Sequence, residues 1–367
     1  MDQRVDKVAE VLVNYSAPVQ PGNFVLIRVL DPVAEPMALA VQKYVLMAGG
    51  YPTFLMSPAR ASENFYAYAQ DSQLDWLNPV NEFLWNKADV MITLIAQQNT
   101  KSLSRVDPAK LNRTRLANAP LSKTFMERQA SGDLVWTLTQ YPCQSSAQDA
   151  EMSLGEYEDF VYGACLVNLP DPVAEWKKIA AEQQRLVDYL AGKQNVQVKG
   201  ENIDLTLSIK DRKFINADGK KNFPDGEIFT GPVEDSVNGW VKFTYPALFS
   251  GREVDGIEIE FKDGKAVKSS AKKGDDFLNA TLDTDAGARF LGEFAIGTNF
   301  GVTQFTRNIL FDEKMGGTVQ MAFGASYPDT GGKNQSAVHW DMICDMRSGG
   351  EINVDGELFY KNGEFQI

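Results

Sequence analysis

The first half of the chain alternates between continuous apolar runs and stretches whose apolar residues recur at helical spacing. Val5, Val8 and Leu12 recur in this way and predict an amphipathic helix over residues 2–16. Apolar runs of the kind found in buried parallel strands predict strands at 23–30, 51–56, 89–96 and 133–140. Helical patterns lie between them, at 60–72, 79–87 and 109–130 among others. This alternation predicts βαβ units and a mainly parallel sheet.

The pattern changes after a long helix that bridges the two halves. Asp171 and Pro172 form a good N-cap and first-turn pair, and the helical spacing continues until Gly192. Beyond it, short alternating runs are separated by turn sequences such as NADGK, FKDG and KNGE. We therefore predict an α/β domain over residues 1–195 and a mainly antiparallel, β-rich (α+β) domain over residues 196–367.

Composition limits the class of protein. The 367 residues, 44% of them apolar, suffice for two hydrophobic cores. The net charge of -13 comes without a concentrated basic block, which argues against a surface that follows nucleic-acid phosphates. Three cysteines without CxxC spacing argue against a disulfide framework and for a reducing compartment. We expect an acidic cytoplasmic protein that binds no nucleic acid.

Neither a membrane nor a nucleotide is expected as a partner. The N-terminal sequence MDQRVDKVAEVLVNY is charged and amphipathic, and no apolar run reaches about 18 residues, which is the length of a membrane span. The turn after the first predicted strand reads LDPVAEP and lacks both glycine patterns that cradle phosphates. We therefore expect no nucleotide cofactor.

The only histidine of the chain lies in a stretch with the alternation of a half-buried strand. In SAVHWDMI, apolar residues alternate with His339 and Asp341, so these two side chains should point the same way. The preceding run TVQMAF alternates likewise around Gln320, and turn formers separate the two runs. We predict two neighbouring strands that offer Gln320, His339 and Asp341 to one pocket.

Two glutamates lie at comparable places, Glu227 in FPDGEIFTGP and Glu293 in ARFLGEFAIGTN. Each follows a Gly-containing turn at the start of an apolar strand. Taken singly, such a glutamate is more often a solvated edge residue than a ligand. His339 alone is more often a hydrogen-bonded structural histidine. Tyr327 can equally be a turn tyrosine that packs before Pro328.

Several segments of the second half together resemble the aminopeptidase T type of thermophilic metallopeptidase. They match in order and approximate spacing, and they are PDGEIFTGP, LDTDAGARFLGEFAIGTN, LFDEK followed by GGTVQMAFGASYP, and SAVHWDM. The N-terminal half resembles the family more loosely, so the resemblance covers almost the whole chain. It implies a metal-dependent aminopeptidase, a hydrolase that removes N-terminal residues from short peptides. It also implies a homodimer.

The resemblance also implies roles for particular residues. The implied ligands of two divalent metal ions are Glu227, Glu293, His339 and Asp341. The resemblance implies that Tyr327 assists catalysis, and we expect Glu293 to be catalytic as well as a metal ligand. Where the family has a further histidine ligand, this chain has Gln320, which we keep as a candidate ligand.

Gln320 changes the metal chemistry to be expected. An imidazole is a good donor to Zn, Co or Mn, whereas an amide oxygen suits Mg- or Ca-like ions. We therefore expect one of the two metal positions to be weakened or empty, while His339, Asp341 and a glutamate can form the other. The expected cofactors are one or two ions of Zn, Co or Mn per chain, bound within the domain over residues 196–367.

Metal ions in such a site would activate a water to attack the first peptide bond. Tyr327 would then donate a hydrogen bond to the developing oxyanion.

Three other functions are weighed against the aminopeptidase. Iron(II) dioxygenases that act on dihydroxypyridines resemble the family but use two histidines, which one chain with a single histidine cannot supply. A Ser or Cys triad would have to use His339, and Cys344 falls on the opposite face of a regular strand. A relative with a lost or changed activity, such as a binding protein, is the third alternative, and Gln320 is the feature that raises it.

Overall fold

A computed structural model describes residues 2–367 of the chain. Its α-helices are α1 (Gln3–Val11), α2 (Glu35–Met47), α3 (Ala61–Tyr68), α4 (Asp71–Leu74), α5 (Pro79–Lys87), α6 (Pro108–Ala117), α7 (Ala119–Ser131), α8 (Gln144–Asp149), α9 (Leu154–Ala164), α10 (Pro172–Leu190), α11 (Asp275–Leu282) and α12 (Ile309–Asp312). A π-helical turn (Leu12–Ser16) and two 3-10 turns (Pro32–Ala34, Pro328–Thr330) complete the helical segments.

The strands are mostly short. They are β1 (Phe24–Val29), β2 (Tyr51–Met56), β3 (Val90–Ile95), β4 (Val135–Gln140), β5 (Asn195–Gly200), β6 (Ile203–Ser208), β7 (Ile215–Ala217), β8 (Asn222–Phe223), β9 (Glu227–Thr230), β10 (Asn238–Lys242), β11 (Ala247–Phe249), β12 (Arg252–Val254), β13 (Glu258–Lys262), β14 (Lys265–Ser270), β15 (Leu291–Gly297), β16 (Thr318–Gly324), β17 (His339–Asp345), β18 (Glu351–Val354), β19 (Glu357–Lys361) and β20 (Glu364–Phe365).

The first compact unit runs to Val173 and includes Gly219–Phe223. Its sheet has the order β2-β1-β3-β4-β8, and every neighbouring pair is parallel. The central strands β1 and β3 carry most of their side chains in the core, whereas the edge strand β2 is largely exposed. A continuous apolar run is what a strand covered on both faces requires. The predicted α/β organisation with a parallel sheet is confirmed.

One predicted helix, over residues 109–130, is two helices in the structure. α6 ends at Ala117 and α7 begins at Ala119. Pro120, in the first turn of α7, has no N–H to donate, and its ring would clash with the carbonyl four residues earlier in a continuous helix. The Asn118 side chain donates to the backbone oxygen of Thr114 at the break. The prediction of a single helix was therefore wrong, and Pro120 was the signal for the break.

The second compact unit contains Ala174–Asp218 and Pro224–Ile367. It has an eight-stranded sheet of order β14-β13-β10-β6-β5-β18-β19-β20 and a five-stranded sheet of order β17-β16-β15-β9-β7, with β11 and β12 forming a separate pair. Paired strands in both sheets are antiparallel. One apolar core includes side chains from both sheets, among them Val198, Ile228 and Met321. The predicted antiparallel, β-rich second half is confirmed.

The five-stranded sheet places the predicted site residues on neighbouring strands. β9, β15, β16 and β17 lie side by side, and they carry Glu227, Glu293, Gln320 and the pair His339 and Asp341. The register pairs Ala322 with both Glu293 and Asp341, and it pairs Gln320 with Ala295 on β15. Residues that pair directly across antiparallel strands share a face of the sheet. The site residues therefore project from one face.

No helix among residues 2–367 combines the length and the apolar character needed to cross a bilayer.

The domain boundary that the sequence placed near residue 195 stays a prediction. The chain passes between its two compact units near Val173 and again at Gly219–Phe223.

Candidate metal centre

Glu227 is positioned by a turn that only glycine can make. Gly226 has a φ of +120°, and a Cβ there would lie 2.6 Å from the Cβ of Asn299. The Asn299 side chain donates to the backbone oxygen of Asp225 at 2.8 Å, which holds the turn against the end of β15. Glu227 thus starts β9 with its side chain buried in the unit.

Glu293 is positioned by a bulge in β15. The register between β15 and β16 shifts between Leu291 and Glu293, at Gly292. A Cβ on Gly292 would lie 2.2 Å from the backbone oxygen of Ala325, so a larger residue cannot occupy the bulge. Glu293 is 3% exposed. A fully buried carboxylate needs partners to offset its lost hydration, and these come from β16 and β17.

His339 presents one ring nitrogen to the acids. Its Nδ1 lies 2.9 Å from the backbone oxygen of Ala325. A carbonyl oxygen only accepts, so Nδ1 carries the proton and Nε2 keeps its lone pair in the neutral ring. Nε2 lies 3.5 Å from Glu293 Oε2 and 3.5 Å from Asp341 Oδ1. This is the usual arrangement of a histidine that binds a metal, in which the second nitrogen is held by a carbonyl or carboxylate.

Glu293, His339 and Asp341 fit a divalent metal ion. Each offers one ligand atom, and these atoms lie within 4.8 Å of one another. Asp341 Oδ1 is buried and has no hydrogen-bond partner among residues 2–367. A buried carboxylate oxygen without a donor is costly unless a cation binds it. One imidazole and two carboxylates make a donor set that suits Zn and other first-row ions.

The charges of these three residues are strongly coupled. Burial raises the pKa of Glu293, and the nearby charge of Asp341 raises it further, to about 8. Burial lowers the pKa of His339, but the Asp341 and Glu293 carboxylates outweigh it and raise the pKa to about 9. Glu293 and His339 therefore hold protons tightly, and a metal ion must displace these protons when it binds.

Gln320 lies between two of the predicted ligands. Its Nε2 donates to Glu227 Oε2 and to Glu293 Oε1, at 3.0 Å each. Two ionised carboxylates face the amide nitrogen, because their oxygens only accept hydrogen bonds and would repel the amide oxygen. Gln320 Oε1 is buried and has no hydrogen-bond partner among the described residues. The structure thus shows Gln320 as a hydrogen-bond donor, and its role as a metal ligand stays a prediction.

Lys314 was missed in the sequence and belongs to the same cluster. Its side chain is 2% exposed, and its ammonium lies 2.5 Å from Glu227 Oε1 and 3.4 Å from Asp225 Oδ1. It also forms an ion pair with Glu313. Burial lowers the pKa of Lys314, but the carboxylates, Glu227 foremost, raise it well above its ordinary value. Burial raises the pKa of Glu227 in turn, and Lys314 partly offsets this.

A folded loop holds Lys314 in place. Asp312, at the end of α12, accepts hydrogen bonds from the backbone N–H and the hydroxyl of Thr306, at 2.7 Å each. The backbone N–H of Lys314 donates to Phe311, and the backbone N–H of Asn299 donates to Lys314. Residues 313 and 314 lie in a turn, outside any helix or strand. The alternation of apolar and polar residues therefore cannot predict which way their side chains point.

Tyr327 packs against the imidazole of His339. Its ring packs edge to face against His339, with 5.2 Å between the ring centroids, and against Phe229 at 5.5 Å. Partial desolvation raises the pKa of Tyr327, whose side chain is 47% exposed, and the charges of Glu293 and Asp341 raise it further. The hydroxyl therefore keeps its proton over the whole physiological range and can act as a donor. All six residues singled out in the sequence lie in this one region, and their individual roles stay predictions.

Comparison with known proteins agrees with the architecture and identifies the family. The family model of the thermophilic metalloproteases (M29) matches residues 1–365. The chain belongs to this family, as the sequence motifs indicated, and membership places it among the metal-dependent peptidases, which are hydrolases.

Individual relatives match over nearly the full length. Aminopeptidase 2 of Geobacillus stearothermophilus is 26% identical over 407 aligned positions, which cover 97% of this chain and 94% of the relative. The solved structure of wild-type AmpT from Thermus thermophilus superposes with a TM-score of 0.87 at 22% identity and covers 100% of this chain and 99% of that one.

A second solved structure shares the fold more distantly. The 2,5-dihydroxypyridine dioxygenase from Pseudomonas putida KT2440 superposes with a TM-score of 0.57 at 13% identity and covers 99% of this chain and 96% of that one. At such identities the two structural matches define the fold alone. The single histidine of the present chain still argues against a ligand set with two histidines.

Proposed function

We propose that this chain is a metal-dependent aminopeptidase that removes residues from the N-termini of short peptides. The observation that carries the proposal is the convergence of Glu293 Oε2, His339 Nε2 and Asp341 Oδ1 in a member of a metalloprotease family. Relatives that match almost the whole chain are named aminopeptidases, which supports removal from the N-terminus.

A divalent ion at these three residues would polarise the scissile carbonyl and lower the pKa of a water molecule. The protein's own groups prepare the site for it. The backbone oxygen of Ala325 orients the imidazole of His339, and Gln320 Nε2 holds Glu293 Oε1, which leaves Oε2 directed at His339. Ligands fixed in this way lose little conformational freedom when the ion and the substrate bind.

The excess of negative charge favours a substrate with a free amino group. Asp225, Glu227, Glu293, Glu313 and Asp341 lie in one cluster, and Lys314 is the lysine that pairs with it. A carboxylate of this cluster would bind the α-ammonium of the peptide, which fixes the first peptide bond at the site. An acetylated N-terminus lacks this charge and should bind poorly.

Product analysis tests the proposal. A short peptide and its N-acetylated form are incubated with the metal-loaded protein, and the products are followed by mass spectrometry. We expect stepwise loss of single residues from the free peptide and no cleavage of the acetylated one. Internal cleavage of both peptides at comparable rates would contradict an aminopeptidase. Cleavage of neither peptide would favour a relative with a changed activity, the alternative that Gln320 raises.

Tyr327→Phe tests the predicted catalytic role of the tyrosine. The ring remains packed on His339 and Phe229, but the hydroxyl that would donate to the oxyanion is removed. Loss of one such donor lowers kcat by about 100- to 1000-fold with little change in KM. Steady-state kinetics measures both constants. Tyr68→Phe, at an 81% exposed position, is the matched control and should leave them unchanged. A Tyr327 variant with normal kcat would reduce Tyr327 to a packing residue.

The cytoplasmic location and the homodimer stay predictions. The free thiols of Cys143, Cys165 and Cys344 are consistent with a reducing compartment. Sedimentation velocity at micromolar concentration tests the dimer, and a single monomeric species would remove it.

A further inference from the structure

An internal cation already occupies the deepest part of the acidic cluster. The Lys314 ammonium touches one oxygen of Glu227 at 2.5 Å, lies 3.4 Å from Asp225 and pairs with Glu313. The lysine is 2% exposed, and it is more buried than Glu313, whose side chain is 14% exposed. The ammonium lies among oxygens of three carboxylates, and such oxygens are the ligands that hard metal ions prefer.

Both carboxylate oxygens of Glu227 are therefore in use. Oε1 accepts from Lys314 and Oε2 accepts from the Gln320 amide. A zinc ion binds a carboxylate oxygen at about 2.0 to 2.2 Å, so an ion on Oε1 would lie within about 5 Å of the ammonium. Two cations that close repel each other strongly at a buried site. Binding at Oε2 would instead require the amide nitrogen of Gln320 to move away.

The other half of the cluster is different. Glu293 Oε2 and Asp341 Oδ1 face His339 Nε2, and no lysine or arginine forms an ion pair with either acid among the described residues. Asp341 Oδ1 lacks a hydrogen-bond donor there. These three groups can accept one ion without moving a lysine, an arginine or an amide away from the oxygens that would bind it.

We propose that Lys314 serves as a built-in cation in place of a second divalent ion, so that Glu227 is not a metal ligand and the chain binds a single ion at Glu293, His339 and Asp341. Lys314 and Gln320 act together. Lys314 supplies a positive charge beside Glu227, and the Gln320 amide donates hydrogen bonds to Glu227 and Glu293, so that carboxylate oxygens which a second metal ion would coordinate are bound by protein groups. The inference rests on the proposed metal-dependent function, and it replaces the ligand role that the family resemblance implied for Glu227.

Metal stoichiometry tests the inference. Chelator-treated protein is titrated with Zn²⁺ by calorimetry, and bound zinc is counted by elemental analysis after gel filtration. We expect one ion per chain for the natural sequence and for Glu227→Gln, with affinities within a few-fold of each other. Asp341→Asn is the matched acid-to-amide control and should lose most of the affinity. Two ions in the natural sequence, or loss of the ion in Glu227→Gln, would overturn the proposal.

A double variant tests the roles of Lys314 and Gln320 directly. Replacement of Lys314 by methionine removes the ammonium, and Gln320→His supplies an imidazole beside Glu227. The folded double variant should bind two zinc ions per chain. If it still binds one, Lys314 is not what excludes the second ion. The counts for the natural sequence and Glu227→Gln decide the question if the double variant does not fold.

The metal count and the peptide turnover test the two proposals separately. One zinc ion per chain without peptide turnover would leave the internal cation in place and refute the aminopeptidase. Two ions with turnover would refute the internal cation and leave the aminopeptidase in place.

Discussion

Replacement of His339 by asparagine should lower the affinity for Zn²⁺ by about 100-fold or more and abolish peptide cleavage. Asparagine can still donate to the backbone oxygen of Ala325, but it has no atom at the position of Nε2, which faces Glu293 and Asp341. Loss of groups that only orient a ligand already costs about 10- to 100-fold in metal affinity or activity, so loss of a direct ligand should cost at least the upper end. Calorimetric titration with Zn²⁺ and turnover at saturating metal measure the two effects.

The matched control for this variant is Asp329→Asn, which removes an exposed carboxylate two residues after Tyr327. It should leave zinc affinity nearly unchanged. Thermal unfolding of both variants shows whether the fold is kept. A folded His339→Asn variant with normal zinc affinity would mean that the ion binds elsewhere, and the three-residue site would have to be abandoned.

Lys314→Met should cost about 3 to 5 kcal/mol in the free energy of unfolding. The substitution leaves the buried Glu227 and Asp225 and the partly buried Glu313 without the ammonium that pairs with them. Methionine fills most of the space of the lysine chain, so the effect reports lost charge pairing more than lost packing. Urea unfolding at pH 8, with chelator present, measures it. Lys268→Met breaks a surface pair with Glu260 and should cost no more than about 1 kcal/mol.

The cost of Lys314→Met should also depend on pH. Burial raises the pKa of Glu227 and raises that of Glu313 to about 7, and Lys314 lowers both. Without Lys314 these folded-state pKa values rise further above those of the unfolded chain. In the variant, the contribution of these two acids to the free energy of unfolding is then greatest below their unfolded pKa, near 4.5. It falls as the pH rises towards their folded-state pKa values. The difference from the natural protein should therefore be larger at pH 8 than at pH 5. A cost that does not change with pH would show that Lys314 does not pair with these acids.

Most of the scaffold of the site could be predicted from the sequence. The alternation around Gln320 and His339 correctly indicated two neighbouring strands, and β16 and β17 pair directly. Their period of two residues fixes which side chains share a face, and this follows from local geometry alone. The two glutamates needed the family motifs, because an acid that follows a Gly turn is ambiguous by itself.

Other features of the site could not be predicted, because they depend on contacts between distant parts of the chain. Lys314 follows α12, and its partners Asp225 and Glu227 are almost ninety residues earlier. The sequence LFDEK contains the lysine but gives no sign that it is buried. A buried lysine is rare unless it is paired, so its partners become apparent only in the folded structure. The same holds for the direction of the Gln320 amide, which the two carboxylates determine.

The most direct test of the metal-dependent function is a titration of activity. Chelator-treated protein is supplied with increasing Zn²⁺, Co²⁺ or Mn²⁺, and the cleavage of an aminoacyl chromogenic substrate is followed. We predict no turnover without metal and a rise to a plateau with at least one of the three ions, with His339→Asn inactive throughout. Turnover in the absence of metal, or an equal rate in His339→Asn, would contradict catalysis by an ion at Glu293, His339 and Asp341.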